Sequence, residues 1–259
     1  MLKTNYMKKV LSYIAYCFLM LAFFYGCTVD NTSSVNPVEP TKKIIKSESK
    51  WLLDPISEIR IQKVYYKEFD KLGFLNKFEE YDDKGILDVE NTYTYSDNVS
   101  FEEKKFFNLS GSIDSVQKNY YVYNLSGKIS RKIVCDKAGD TLSILSYDYD
   151  TKGNLTKKVE YSLIDNKTTE TKYSYAYNES GNLVERIINP GNNGTYELKD
   201  EFFYPSPGNN FEKRSYDSEG KIKIIYTYTY NRDGRIIKET QSSIDNKVLF
   251  KYAFDYTYY

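Results

Sequence analysis

The chain has 259 residues, 36 basic and 36 acidic side chains, a formal net charge of zero and no histidine. Balanced charge leaves no electrostatic footprint for nucleic acid. The absence of histidine removes His-based triads, His metal sites and histidine proton shuttles together.

Residues 1–26 stand apart from the fold. Lys3, Lys8 and Lys9 give a basic start, Val10 to Tyr25 is an almost uninterrupted apolar run, and Gly26-Cys27 precedes a polar stretch. This order resembles a bacterial lipoprotein signal peptide, which implies that Cys27 carries lipid and holds the protein to the outer membrane. Phe24-Tyr25-Gly26 is looser than the strict lipobox. The apolar run is also short for a bilayer span of about 20 residues. Residues 27–50 are rich in Thr, Ser, Asn and Pro without periodicity, which predicts a flexible tether. Trp51-Leu-Leu-Asp-Pro55 contains the only Trp and reads as a plug at one end of the sheet, with ligand stacking as the sharper alternative.

Residues 51–259 form a single domain written in one repeated phrase: an aromatic, Asn or Asp, two free positions, then Gly. It ends at Gly73, Gly85, Gly111, Gly127, Gly153, Gly181, Gly220 and Gly234, and at Gly139 with Cys135 in the aromatic position. Asn or Asp at the head of a type I turn can bond its own backbone two residues on. The Gly then takes the left-handed conformation that closes a hairpin through a bulge. An apolar residue two after the Gly (Leu75, Leu87, Ile113, Ile129, Leu155, Leu183, Ile222, Ile236) restarts the alternation of a strand.

Asp97-Asn98, Asp165-Asn166, Gly191-Asn-Asn-Gly194 and Asp245-Asn246 fill the gaps. One set of turns falls near 85, 111, 139, 166, 194, 220 and 246, the other near 73, 98, 127, 153, 181, 208 and 234. The expectation is an all-β antiparallel up-and-down meander of about fifteen strands, with turns alternating between two edges. Ile222, Ile224, Tyr226, Tyr228 and Tyr230 share one face of their strand and Lys221, Lys223, Thr227 and Thr229 the other. A half-buried sheet of that size cannot stay open and flat, so it should roll over its aromatic face into a barrel-like or spiral shell.

Tyr228-Thr-Tyr230-Asn231-Arg-Asp-Gly234-Arg235-Ile236, Tyr147-Asp-Tyr149-Asp150-Thr-Lys-Gly153-Asn-Leu155 and Tyr175-Ala-Tyr177-Asn178-Glu-Ser-Gly181-Asn-Leu183 carry a family resemblance. From about Phe69 to Tyr256 the chain resembles the YD-repeat, or RHS-repeat, proteins, in the form of a small lipoprotein of Bacteroidetes type. The resemblance implies a shell of β-hairpins, which in large members is a cocoon around a toxin. This chain is too short to enclose another domain, so the resemblance bears on architecture.

The remaining chemistry is thin. Acidic neighbours occur at Glu79-Glu80, Asp82-Asp83, Asp148/Asp150 and Asp200-Glu201, and paired carboxylates can hydrolyse a glycosidic bond. Several of them sit where turns need Asp, so no catalytic residue, metal site or cofactor is assigned. Cys135 reads as a small buried hydrophobe. The expectation is a non-enzymatic, outer-membrane-anchored repeat lipoprotein that acts as a structural or protein-interaction module. It would be monomeric and bind the membrane through Cys27. A glycan- or small-ligand-binding module using Tyr and Trp platforms is the alternative, with no ligand residues identified. A transmembrane barrel is a third idea, opposed by the lack of long loops on one edge.

Overall fold

The computed structural model describes residues 43–96, 99–190, 197–204 and 211–259, with the backbone alone at 189 and 190. The signal region, Cys27, Gly194 and most of the tether lie outside these residues. The described chain contains β1 (Ile45–Leu53), β2 (Arg60–Phe69), β3 (Leu75–Tyr81), β4 (Leu87–Tyr95), β5 (Val99–Phe107), β6 (Ile113–Tyr123), β7 (Ile129–Cys135) and β8 (Thr141–Tyr149). It continues with β9 (Leu155–Ser162), β10 (Lys167–Tyr177), β11 (Leu183–Pro190), β12 (Leu198–Phe203), β13 (Phe211–Tyr216), β14 (Ile222–Tyr230), β15 (Ile236–Ser242) and β16 (Val248–Tyr258). Each strand pairs antiparallel with its neighbours in sequence, and β1 pairs with β16, so the sheet is a closed barrel.

The turns do what their composition asks. In the first, the Asp70 carboxylate accepts the N–H groups of Leu72 and Phe74 at 2.8 and 2.9 Å, while Gly73 N–H donates to Asp70 C=O at 3.0 Å. The same set recurs at Asn124 and Asn231. All nine repeat glycines have positive φ, from +71° to +104°. Where no Gly is present, Asn166 and Asn246 take the left-handed conformation, which Asn tolerates better than most residues.

A second interaction links successive repeats. Tyr95, Tyr149, Tyr175 and Tyr256 each donate a hydroxyl hydrogen bond of 2.8 Å to the carbonyl of the residue 20 positions earlier: Leu75, Ile129, Leu155 and Ile236. These are the apolar residues two after a repeat Gly. The residue between them covers the tyrosine ring at three of the sites: Phe74 over Tyr95 at 5.1 Å, Lys128 over Tyr149 at 5.7 Å and Arg235 over Tyr256 at 5.6 Å. One hairpin's turn therefore clasps the far end of the next strand.

The sixteen strands are one more than the turn spacing counts, and the addition is β1. Residues 45–50, read from sequence as the end of the tether, are strand, and Trp51 is a strand residue instead of a plug. The physical reason lies in Ile45-Lys-Ser-Glu-Ser-Lys50. Its polar side chains disguise a strand whose Glu48 and Lys50 are paired inside the barrel. Outside, Arg60 and Lys63 stand over the Trp51 ring at 5.3 and 5.4 Å.

The seam is fastened by charge as well as backbone. Arg60 bonds Asp255 at 2.6 Å, and the Tyr259 hydroxyl donates to Phe69 C=O at 2.6 Å. Glu58, at φ +58°, receives Lys238 and Lys251 at 2.6 and 2.8 Å. These two ammonium groups lower the Glu58 pKa from 4.5 to about 2.

Gly181→Val should destabilise by about 1–3 kcal/mol through backbone strain, since nothing lies within 4 Å of the added Cβ to confuse the result. Urea melts beside the parent measure it, and an unchanged midpoint would contradict the turn geometry. A carboxylate with a depressed folded pKa stabilises above its unfolded pKa and loses that contribution as pH falls through the folded one. The stability gap between parent and Glu58→Gln should therefore be full above pH 4.5 and close as pH approaches about 2. A gap independent of pH would show that the two lysines do not act through charge.

Candidate functional site

Side chains on a closed barrel converge inside and diverge outside, so the more buried face is the inner one. That face carries the tyrosines of β14 and β16, as the alternation requires, with Tyr228, Tyr252 and Phe254 buried. It also carries charge that the aromatic pattern conceals. Lys50, Glu102, Asn119, Asp200, Glu239 and Gln241 are among the most buried polar side chains, at 0–5% exposure.

These groups form three networks. Glu239 accepts Lys50 Nζ at 3.0 Å and Gln241 Nε2 at 2.6 Å, and the Lys50 ammonium stands 4.0 Å from the Tyr252 ring centre. Nearby, Glu48 accepts the Tyr65 hydroxyl and Lys67 Nζ. On another arc, Glu102 accepts Asn119 Nδ2 at 2.8 Å and the Tyr121 hydroxyl at 2.5 Å, with Lys132 Nζ at 3.9 Å. On a third, Asp200 accepts Ser215 Oγ at 2.5 Å and the Arg186 guanidinium.

Burial drives the protonation of these groups. It lowers the pKa of Lys50, with Glu239 opposing, and that of Lys132, with Glu102 opposing. It raises the Tyr65 and Tyr121 hydroxyls, and their carboxylate partners add to the effect. A buried ion is tolerated only when its partners replace water. The network carboxylates each meet two or more donors.

The acidic neighbours do not assemble. Consecutive strand residues point to opposite faces. Glu80 is inward, where burial raises its pKa, whereas Glu79 pairs with Lys77 outside. Asp200 is inward and Glu201 bonds Lys199 outside. Asp82 and Asp150 accept backbone N–H groups in turns. Among the described residues, no group of His, Cys, Asp and Glu side chains could hold a metal ion. Cys135 is buried, with Sγ 3.9 Å from Thr141 Oγ1.

The outer wall is a lattice of exposed or half-exposed ions. Lys77 bridges Glu79 and Glu90 at 2.7 and 2.9 Å, and Lys105 reaches Glu90 at 3.2 Å. Lys199 bridges Glu185 and Glu201 at 3.0 and 2.8 Å, and Arg214 meets Glu212 at 2.6 Å.

The sequence reading missed the inner networks because most of their contacts join strands: Lys50 lies 189 residues from Glu239, Glu102 17 from Asn119 and Asp200 15 from Ser215. The available signal was parity: Asn119 shares a strand face with Tyr121 and Tyr123, and Asp200 shares one with Phe202. A polar residue in register with buried aromatics is a network candidate.

Lys50→Met should strand Glu239 with Gln241 alone and cost about 3–5 kcal/mol, the usual penalty for halving a buried pair. Lys251→Met, at the exposed Glu58 pair, should cost clearly less, because water screens that pair. Chemical denaturation of both variants checks the contrast, and equal losses would mean that the inner pair is solvated.

The sequence matches no protein-family model and no curated protein. Among solved structures, a porin-like protein from Bacteroides uniformis is similar at TM-score 0.52 and 14% identity, over 85% of this chain and 98% of that one. A porin-like protein from Bacteroides vulgatus aligns over 83% of this chain and 99% of that one, at 11% identity and TM-score 0.33. At these identities the first likeness bears on the barrel fold, and the second adds no structural argument.

Proposed function

We propose that the chain is a non-enzymatic YD-repeat-like lipoprotein of the cell envelope. Lipid on Cys27 tethers it to the outer membrane, and the barrel acts as a structural or protein-interaction module. The observation that carries this reading is the outer wall. Lys or Arg facing lipid near the bilayer midplane costs about 2–4 kcal/mol each. Lys77, Lys105, Lys199, Arg214 and Lys251 all lie in outward positions of strands. Such a wall suits water, and a water-facing barrel needs some other hold on the membrane. Gly26-Cys27 after a basic and apolar leader supplies one.

The glycan-platform alternative draws less support. The rings of Tyr95, Tyr149 and Tyr256 are covered by the residues that follow the repeat glycines, and Trp51 is flanked by two cations.

Full-length protein made in a lipoprotein-competent host should incorporate radioactive fatty acid, and Cys27→Ala should abolish the label. A protease site inserted after Thr41 should, once cut, release the barrel into the soluble fraction without detergent. Unchanged labelling would remove Cys27 as the anchor. A cut barrel that stays with the membrane would mean that the wall itself contacts lipid.

A further inference from the structure

The two ends of the barrel differ in charge. Loops that follow odd-numbered strands lie at one edge, and among their described residues are eleven Asp or Glu against four Lys. Loops that follow even-numbered strands lie at the other edge, with the start of β1 and the end of β16. Among the described residues there, counting Lys43, are six Lys or Arg against four Asp or Glu.

The cations of this second edge gather at the seam. Lys43 and Lys46 lie at the start of β1, Lys71 in the β2–β3 turn, and Arg232 and Arg235 in the β14–β15 turn. Among the described residues no carboxylate pairs with any of the five. Their contacts are rings and carbonyls. Lys43 Nζ and the Arg235 guanidinium lie 5.7 and 5.1 Å from the Tyr258 ring centre, and Lys46 Nζ lies 5.9 Å from that of Tyr259. Arg235 also donates to Lys43 C=O at 3.0 Å. Tyr259 N–H donates to Ile44 C=O at 3.2 Å, while its hydroxyl reaches the end of β2 at Phe69. These bonds join the three segments into one surface. Leu72 stands at its tip, 81% exposed, with Ile44, Phe74 and Tyr259 also exposed.

We propose that this edge docks on a bilayer containing anionic phospholipid, with Leu72 and the rings of Tyr258 and Tyr259 at headgroup level. Cations without carboxylate partners attract anionic headgroups, and the acidic edge is repelled, so charge orients the barrel as well as holding it. Tyrosine rings and lysine stems suit the boundary with the acyl chains, where hydroxyl and ammonium stay wet. The β2–β3 turn can leave bulk water because the Leu72 and Phe74 N–H groups are already bonded to Asp70. The chain ahead of the fold ends at this edge too. Fifteen residues lie between Cys27 and Lys43, and a flexible chain of that length spans roughly 20 Å. The inference rests on lipid at Cys27 to bring the membrane here. The contact is weak by itself and depends on the local concentration that a tether supplies. A barrel cut from its lipid therefore still leaves the membrane.

Fluorescence quenching tests the orientation. Trp51 is the only tryptophan and lies near the far end of β1, so the parent reports on the acidic edge. Trp51→Phe with Leu72→Trp moves the reporter to the docking edge. Both full-length proteins, acylated, are reconstituted in phosphatidylcholine vesicles with brominated acyl chains, with or without phosphatidylglycerol. Emission from the Leu72→Trp reporter should fall by about half when phosphatidylglycerol is present, and that of Trp51 should not change. Adding Lys71→Glu and Arg232→Glu, at free positions of their turns, should remove most of the quenching. Matched circular dichroism spectra would separate lost docking from lost folding. Radioactive fatty acid is counted on the same samples. Absence of label would remove the anchor and this proposal with it. Label together with an unquenched Leu72→Trp reporter, with quenching of Trp51 instead, or with quenching indifferent to phosphatidylglycerol and to charge reversal would overturn the docking alone.

Discussion

Closure of the hydrogen-bond ladder is the constraint on which the rest depends. An open sheet of this length would present two unpaired edges, each a template for aggregation. Here β1 occupies the gap between β2 and β16, so every strand has two partners. Closure then divides the side chains into two environments. Inward residues converge and lose water. Outward residues diverge and keep it. The same alternation that makes a strand amphipathic thus decides which lysines must be neutralised by a buried partner and which can exchange partners on the surface.

The inner wall shows the consequence. A purely apolar lining would have placed Leu or Phe at Lys50, Glu102 and Asp200. The ions present instead must be paired, and each pair joins different strands: Lys50 of β1 with Glu239 of β15, Glu102 of β5 with Asn119 of β6, and Arg186 of β11 with Asp200 of β12. Such pairs lend little net stability over an apolar core, but a slip in register leaves them unsatisfied. Lys50 and Glu239 straddle the closing seam, where register is set by residues far apart in sequence. The tyrosine clasps act on the same problem locally, tying the turns at Gly73, Gly127, Gly153 and Gly234 to the strand that follows their partner.

The outer wall uses opposite chemistry in two sectors. Ion pairs are dense on β3 to β5 and β11 to β13, where Lys77 and Lys199 each bridge two glutamates. From β5 to β9 the central row is aromatic and β-branched. Both sectors share the meander and the turns, so the hairpin repeat determines the scaffold and leaves the outward positions free to differ.

The repeat made much of this architecture legible in the sequence. A turn of Asn or Asp, two free residues and Gly is a local object. Its hydrogen bonds close within five residues, and its φ demand falls on the Gly itself, so Asp70 to Gly73 or Asn231 to Gly234 can be read without knowing what they touch. Edge alternation, the inward aromatic face and every strand but β1 follow from spacing and parity. The sequence could not show which polar residues were core residues. Lys50 looks like tether until Glu239 is placed beside it, and Asp200 looks like half of an acidic pair until β13 brings Ser215 to it. Nor could it show that Phe101, Tyr120, Ile133, Ile144 and Tyr161 form one row. Local bonding energies determine turns, whereas burial and pairing depend on residues that only the closed barrel brings together.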